Sequence, residues 1–256
     1  MLLLWPRYIF SVYAAQYITA NWAGYVFYSK SDSGYAPIYL ASGYSIVTPV
    51  FLPNVSVYPD AGIGVSVWVG ISNAIGGSQI ELVQGGWAAF YFPNINNFVY
   101  FTWYEFYPSE PMIPIKLVTI YDTVYMWIYV YKDSSTGEDN GMICIWVPDW
   151  LYSICKYKTL SVPLQEMIYA DFILETPYNS TASDYMVLPV FSNYRGITLG
   201  NVTVTFTNST TFYGSWFIVN DSYHSIILEQ GNVINAYAVY ETNYERIVFV
   251  YVSSER

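Results

Sequence analysis

Two acids, Asp171 and Glu175, lie four positions apart in the apolar stretch "YADFILETP", Tyr169 to Pro177. Residues two apart on a β-strand share a face, so Asp171, Ile173 and Glu175 point one way and Ala170, Phe172 and Leu174 the other. At about 3.3 Å per residue the two acids are anchored roughly 13 Å apart, too far to share a proton. Chemistry at Glu175 therefore needs a partner from another strand. Other reactive groups are few. The single histidine, His224, sits in the loop-like "NDSYHS", and no Gly-x-Ser-x-Gly elbow supplies a serine to go with it. One His and two Cys are too few for a structural zinc site, and no metal is expected. Paired Asp-Thr-Gly motifs are absent, with Asp122-Thr123-Val124 the nearest approach. The glycines of "AGIGVSVWVG" precede no helix that would receive a phosphate, so they read as turn plus strand. Carboxylates and amides are what remains.

The elements that must position these groups are strands. The chain has 256 residues, with 29 Tyr, 9 Trp and 14 Phe among many Val and Ile, a composition that suits pleated, half-buried surfaces. Strand-like runs recur between Gly, Pro, Asn and Ser: "YSIVTPVFLP", "IGVSVWVGIS", "QIELVQ", "GWAAFYF", "FVYFTWYEFYP", "KLVTIYDTVYMWIYVYK" and "MICIWV". After Glu175 come "GITLGNVTVTFTN", "FYGSWFIVN" and "ERIVFVYVS". Many short strands without helical crossovers predict an all-β antiparallel sandwich or barrel. No linker divides it, and residues 21–256 read as one domain.

Charge narrows the partners. Nine Lys and Arg against nineteen acids give a net charge of −10, a surface unsuited to nucleic acid phosphates or an anionic membrane. In acid the carboxylates protonate and few cations remain to repel one another, so the composition suits an acidic medium. Residues 1–20 read as a possible signal or leader segment, with Tyr8 to Ala15 as its apolar core and Val12-Tyr13-Ala14 as a cleavage pattern. Five Asn-x-Ser/Thr sequons, at Asn54, Asn179, Asn201, Asn208 and Asn220, lean towards an exported chain, secreted or at the cell surface. There Cys144 and Cys155, which flank a turn at Pro148-Asp149, are placed either to pair across a hairpin or to remain two buried thiols.

Several segments stand out beside "ADFILE": "NWAG" (Asn21 to Gly24), "VWVGIS" (Val67 to Ser72), "ELVQGGWA" (Glu81 to Ala88) and "YFTWYEFYP" (Tyr100 to Pro108). In order and spacing the five resemble the glutamic peptidases, or eqolisins, over some 155 residues, with a weaker match at Leu188 to Phe191. The resemblance implies an acid endopeptidase built as a concanavalin A-like sandwich of two curved antiparallel sheets. It would be a monomer acting on polypeptide substrates without a cofactor. It places the catalytic glutamine at Gln84 and the catalytic glutamate at Glu175, with Glu175 meeting Gln84 from a neighbouring strand. Trp68, Trp103, Glu105, Tyr107 and Asp171 become site-lining, substrate-binding positions. Alternation independently puts Trp103, Glu105 and Tyr107 on one strand face.

The chemistry fits these groups. A carboxylate can take a proton from a water attacking the scissile carbonyl. A side-chain amide can orient that water through its oxygen and stabilise the oxyanion through its N–H groups. To act as a base in acid, Glu175 needs hydrogen bonds to its charged form. Three family aspartates are replaced here, by Ser72, Ala88 and Phe101, and Asp171 stands for a glutamate. Those losses leave a second reading, a non-catalytic sandwich at the cell surface that binds glycan or peptide through its aromatic cleft. A third is a glycosylated envelope component with a decayed site.

Overall fold

The computed structural model describes residues 16–31, 34–54, 59–75, 80–192 and 196–253. Strands dominate. In the first part of the chain they are β1 (Gln16–Thr19), β2 (Trp22–Phe27), β3 (Lys30–Ser31), β4 (Gly34–Tyr35), β5 (Ile38–Ile46), β6 (Gly64–Ser72) and β7 (Leu82–Phe92). There follow β8 (Asn97–Tyr107), β9 (Ile113–Leu117), β10 (Thr123–Lys132), β11 (Asp139–Val147), β12 (Tyr152–Thr159) and β13 (Tyr169–Glu175). The last are β14 (Tyr178–Asn179), β15 (Asp184–Tyr185), β16 (Thr198–Phe206), β17 (Thr211–Tyr213), β18 (Tyr223–Gln230), β19 (Val233–Glu241) and β20 (Arg246–Tyr251), with a helix α1 (Gly214–Val219) after β17.

Hydrogen bonding runs in the order β12-β11-β10-β5-β16-β20-β19-β18-β2-β13-β6-β7-β8-β9. The sheet curls until its halves face each other, so that β10 and β11 pack on β7 while β5 and β10 pack on β6. The expected two-sheet antiparallel sandwich is the fold, and its halves are continuous through β20, β19 and β18. Alternation builds the core between them. Val67, Val69, Ile71, Val83 and Trp87 meet Val124, Met126, Ile128, Ile143 and Ile145, all fully or almost fully buried. Burying an aliphatic side chain of this size contributes about 1.5–3 kcal/mol, which fixes the register and so decides which residues face outward. The outward residues of β6, β7, β8 and β13 carry the candidate site.

Some expected elements differ. "QIELVQ" and "GWAAFYF" form a single strand, β7. "KLVTIYDTVYMWIYVYK" divides into β9 and β10 at a turn, where Asp122 Oδ2 accepts hydrogen bonds from the Thr119 N–H and from Trp150 Nε1. "FYGSWFIVN" was expected to be a strand but becomes helix α1 after Tyr213. The Glu245 carboxylate accepts hydrogen bonds from both the N–H and the hydroxyl of Ser215 in the helix's first turn, a cap brought in from thirty residues away that overrides the β-propensity of Trp, Phe, Ile and Val. His224 lies in strand β18 rather than in a loop, against the rings of Tyr17, Tyr28 and Tyr169.

Cys144 and Cys155 are disulfide-bonded directly across β11 and β12, as one of the two expected arrangements had them. The apolar core and cleavage pattern of the expected leader fall outside the described residues, whereas Gln16–Thr19 pair in parallel with β18. Asn54, Asn201, Asn208 and Asn220 are exposed, and the half-buried Asn179 donates to the Ala61 carbonyl.

Candidate active site

Across β13, β6, β7 and β8 the outward residues fall into rungs. Asp171, Gly70, Gln84 and Glu105 make one, and Ile173, Trp68, Gly86 and Trp103 the next. Glu175, Ser66, Ala88 and Phe101 make a third. All the sequence-predicted site residues thus share one face, and Tyr107 stands at its end, opposite Leu82 and 37% exposed. One expectation needs correction. Gln84 and Glu175 are not on neighbouring strands, because β6 lies between β7 and β13. Their backbones are about 10 Å apart across the strands and about 13 Å along them, so only their side chains can approach.

Donors from another strand and from a loop hold the Glu175 side chain. Trp68 Nε1 donates a 2.8 Å hydrogen bond to Glu175 Oε2. Asn21 Nδ2 donates to Glu175 Oε1 at 3.1 Å. Trp68 itself is fully buried, held edge-on by Trp22 at a ring distance of 5.2 Å. Two glycines make room for its indole. A Cβ at Gly86 would come within 2.0 Å of the Val67 carbonyl and 2.8 Å of the Trp68 backbone. At Gly70 a Cβ would press on the Trp68 ring at 3.0 Å. Gly86 and the Gly of "WVG" are therefore packing requirements around the tryptophan that holds Glu175, whereas at Gly85 a Cβ would meet Ile143 at 2.7 Å in the core.

On the other side of the gap, Gln84 Nε2 donates to Glu105 Oε2 at 2.7 Å. The bond fixes which way the amide points. Gln84 is 4% exposed, and its Oε1 is buried with no hydrogen-bond partner, as is the Nε1 of Trp103 on the adjacent rung. Asp171, directly across Gly70 from Gln84, is equally sunken; neither oxygen makes a hydrogen bond of ordinary geometry, although the Ser72 hydroxyl acts on its charge. Buried polar atoms of this kind cost about 1–3 kcal/mol each when left unpaired. With Trp22 Nε1 and Ser66 Oγ on the Glu175 rung, six such atoms lie on this face among the described residues.

Electrostatics divides the acids. Burial, then the charge of Glu175, pushes the Glu105 carboxyl up to about 8, against the pull of the Gln84 hydrogen bond. Burial also raises Glu175, but the side chains of Trp22, Trp68, Asn21 and Ser66 all act to keep it ionised. Asp171 is raised by burial to about 7, with the Ser72 hydroxyl opposing. Glu105 is thus the proton holder beside Glu175, which is surrounded by donors suited to an anion.

Three positions where acids were missing prove to be structural. Ala88 and Phe101 belong to an apolar cluster with Trp68, Trp103 and Ile173, and the Ser72 hydroxyl donates to the Ala74 carbonyl. Sequence reasoning had given no role to Asn21, although it opens the "NWAG" segment that was singled out. Residue type alone does not reveal a donor to a strand 154 positions away.

The fold and this face define a curled antiparallel sandwich carrying a carboxyl–carboxamide site. Among solved structures the chain is similar to the aspergilloglutamic peptidase from Aspergillus niger, with a TM-score of 0.51 and 18% identity, over 74% of this chain and 99% of that one. No family model and no curated protein matches the sequence. At that identity the likeness is one of fold.

Proposed function

We propose that the chain is an endopeptidase of the glutamic type, in which Glu175 and Gln84 act on a water held between them. The observation that carries this reading is the Glu175 carboxylate, gripped by Trp68 and Asn21, on the same face as an amide that Glu105 holds. Glu175 takes a proton from the water as it attacks the scissile carbonyl. Gln84 Oε1, unpartnered in the chain, accepts from the same water. The N–H of Gln84 not used by Glu105 donates to the developing oxyanion. Trp103 Nε1, also unpartnered, is a second donor on the same face. Protonated Glu175 then gives its proton to the leaving amine. The chemistry calls for no cofactor.

Activity requires Glu175 ionised and is favoured while Glu105 stays neutral. The rate therefore rises with pH as Glu175 ionises and falls as Glu105 loses its proton near about 8. This reading supports activity on the acid side of that value. The bonded cysteines and the exposed sequons support a secreted or cell-surface location. The resemblance in sequence and the shared fold support the peptidase class. The test is digestion of an unfolded protein across roughly pH 2–9, with products identified by mass spectrometry. Glycan or peptide binding without cleavage would favour the non-catalytic reading instead.

A further inference from the structure

Beyond the catalytic groups, the same face runs into an open pocket of about 420 Å3. Phe90, Phe92, Val99, Phe101, Met112 and Leu117 line it, and Lys116 is its only charged residue. We propose that this pocket is a subsite for one bulky apolar side chain of the polypeptide substrate, about four residues from the bond that is cut. The inference rests on the peptidase reading above and adds to it a substrate preference.

Register ties the pocket to the site. Phe90 and Phe92 alternate with Ala88, Gly86 and Gln84 on one face of β7, and Val99 and Phe101 alternate with Trp103 and Glu105 on β8. Phe101 lies opposite Ala88 on one side and Leu117 on the other. Phe101 and Ala88 belong to the cluster that contains Trp68, and Phe90, Val99 and Met112 pack against it. The wall of the pocket is therefore the continuation of the wall that holds Glu175.

Distance gives the position in the substrate. Phe101 is four residues along β8 from Glu105, about 13 Å, and three strand spacings from Glu175, about 14 Å. An extended polypeptide covers that distance in about four residues. Chemistry gives the class of side chain. Phe101 closes the floor at 7% exposure, Phe90 meets it edge-on, and Leu117 and Phe92 stand 65% and 41% exposed at the rim. No carboxylate lines the pocket in a chain of net charge −10, so an apolar side chain enters without meeting an unpaired charge. The sheet order ends at β9, so an extended segment can pass the pocket without meeting a further strand.

The test compares the parent with Leu117→Asp and Phe92→Ser, two rim changes at exposed positions. Cleavage sites in an unfolded protein mixture should show Leu, Phe, Met or Tyr enriched at one position three to five residues from the cut. Both variants should lose that enrichment, with roughly tenfold slower cutting of the preferred peptides and unchanged cutting of peptides that lack the apolar residue. No enrichment there, or enrichment that survives both changes, overturns the subsite. A parallel measurement uses Glu175→Gln protein and two labelled peptides of twelve residues that differ only by Leu or Ser at that position. The Leu peptide should bind about tenfold tighter, and Leu117→Asp introduced into Glu175→Gln should abolish the difference. Equal binding of the two peptides contradicts the pocket. If the parent cuts nothing while the binding difference stands, the peptidase reading fails and the pocket is retained.

Discussion

Glu105 accepts a 2.7 Å hydrogen bond from Gln84 on the neighbouring strand while feeling the charge of Glu175 from across the site. One carboxyl thus orients the amide and is pushed toward its neutral form by burial and by its neighbour's charge. That division of labour makes the two glutamates distinguishable by experiment.

Removing the acceptor at Glu105 frees the amide to rotate. Glu105→Leu is expected to lower kcat by roughly tenfold or more, because one oxyanion donor misplaced costs up to about 3–4 kcal/mol. Glu105→Gln keeps an acceptor oxygen, so its kcat should stay within a few-fold of the parent. Its activity should also persist above about pH 8, where the parent's falls as Glu105 ionises. Steady-state kinetics of the two variants against pH checks both statements. Equal losses in Leu and Gln variants would show that the acceptor does not matter.

Trp68→Phe deletes the indole donor to Glu175 Oε2 while keeping most of the buried ring. With one stabiliser of the carboxylate gone, the pKa of Glu175 rises further and the acid limb of the pH–rate profile moves to higher pH. The measurement is kcat/KM against pH, with folding verified by circular dichroism. A profile that loses height without moving would remove Trp68 from this role.

Stability should fall as pH rises. Glu105 at about 8 and Asp171 at about 7 are raised above their ordinary values, so the folded chain holds protons that the unfolded chain releases near about pH 4. Their contribution is complete below that pH and is lost as pH climbs through about 7 to 8. Thermal melts should give a higher melting temperature near pH 4 than near pH 8, and Glu105→Gln and Asp171→Asn should flatten the slope. A melting temperature that rises over this interval would contradict the assignment.

Much of this was readable from residue order. Alternation in "GVSVWVGIS" and "FTWYEFY" fixes which residues face the site, and the strands β6 and β8 follow it. Gln84, Glu105, Trp68 and Glu175 all face the site from those patterns and from β7 and β13. What sequence did not supply is set by contacts distant along the chain. Asn21 reaches Glu175 only because β2 pairs with β13. Glu245 meets the first turn of helix α1 from thirty residues further along the chain. The place of β6 between β7 and β13 was invisible because strand order is a property of the whole sheet. Local alternation could not show it.

The disulfide gives an independent check on the outer half. Intact mass of exported protein should lie two hydrogens below the reduced value. Replacing both Cys144 and Cys155 with Ser should cost about 2–4 kcal/mol of stability, read from denaturant unfolding, with kcat unchanged. Two free thiols in unreduced, exported protein would remove the bridge.

The most direct measurement is the cleavage rate of one unfolded substrate by the parent, Glu175→Gln, Gln84→Ala, the double variant and Asp171→Asn, at the pH of the parent's highest activity. Glu175→Gln should fall to near background with its fold intact, and Gln84→Ala should lose about 10²–10³ in rate. The double variant should be little worse than the more damaged single one, since groups acting as a unit are far from additive. Asp171→Asn tests the third acid of the face, across Gly70 from Gln84, and should cost much less if Glu175 is the base. Glu175→Gln cutting as fast as the parent would contradict the central claim.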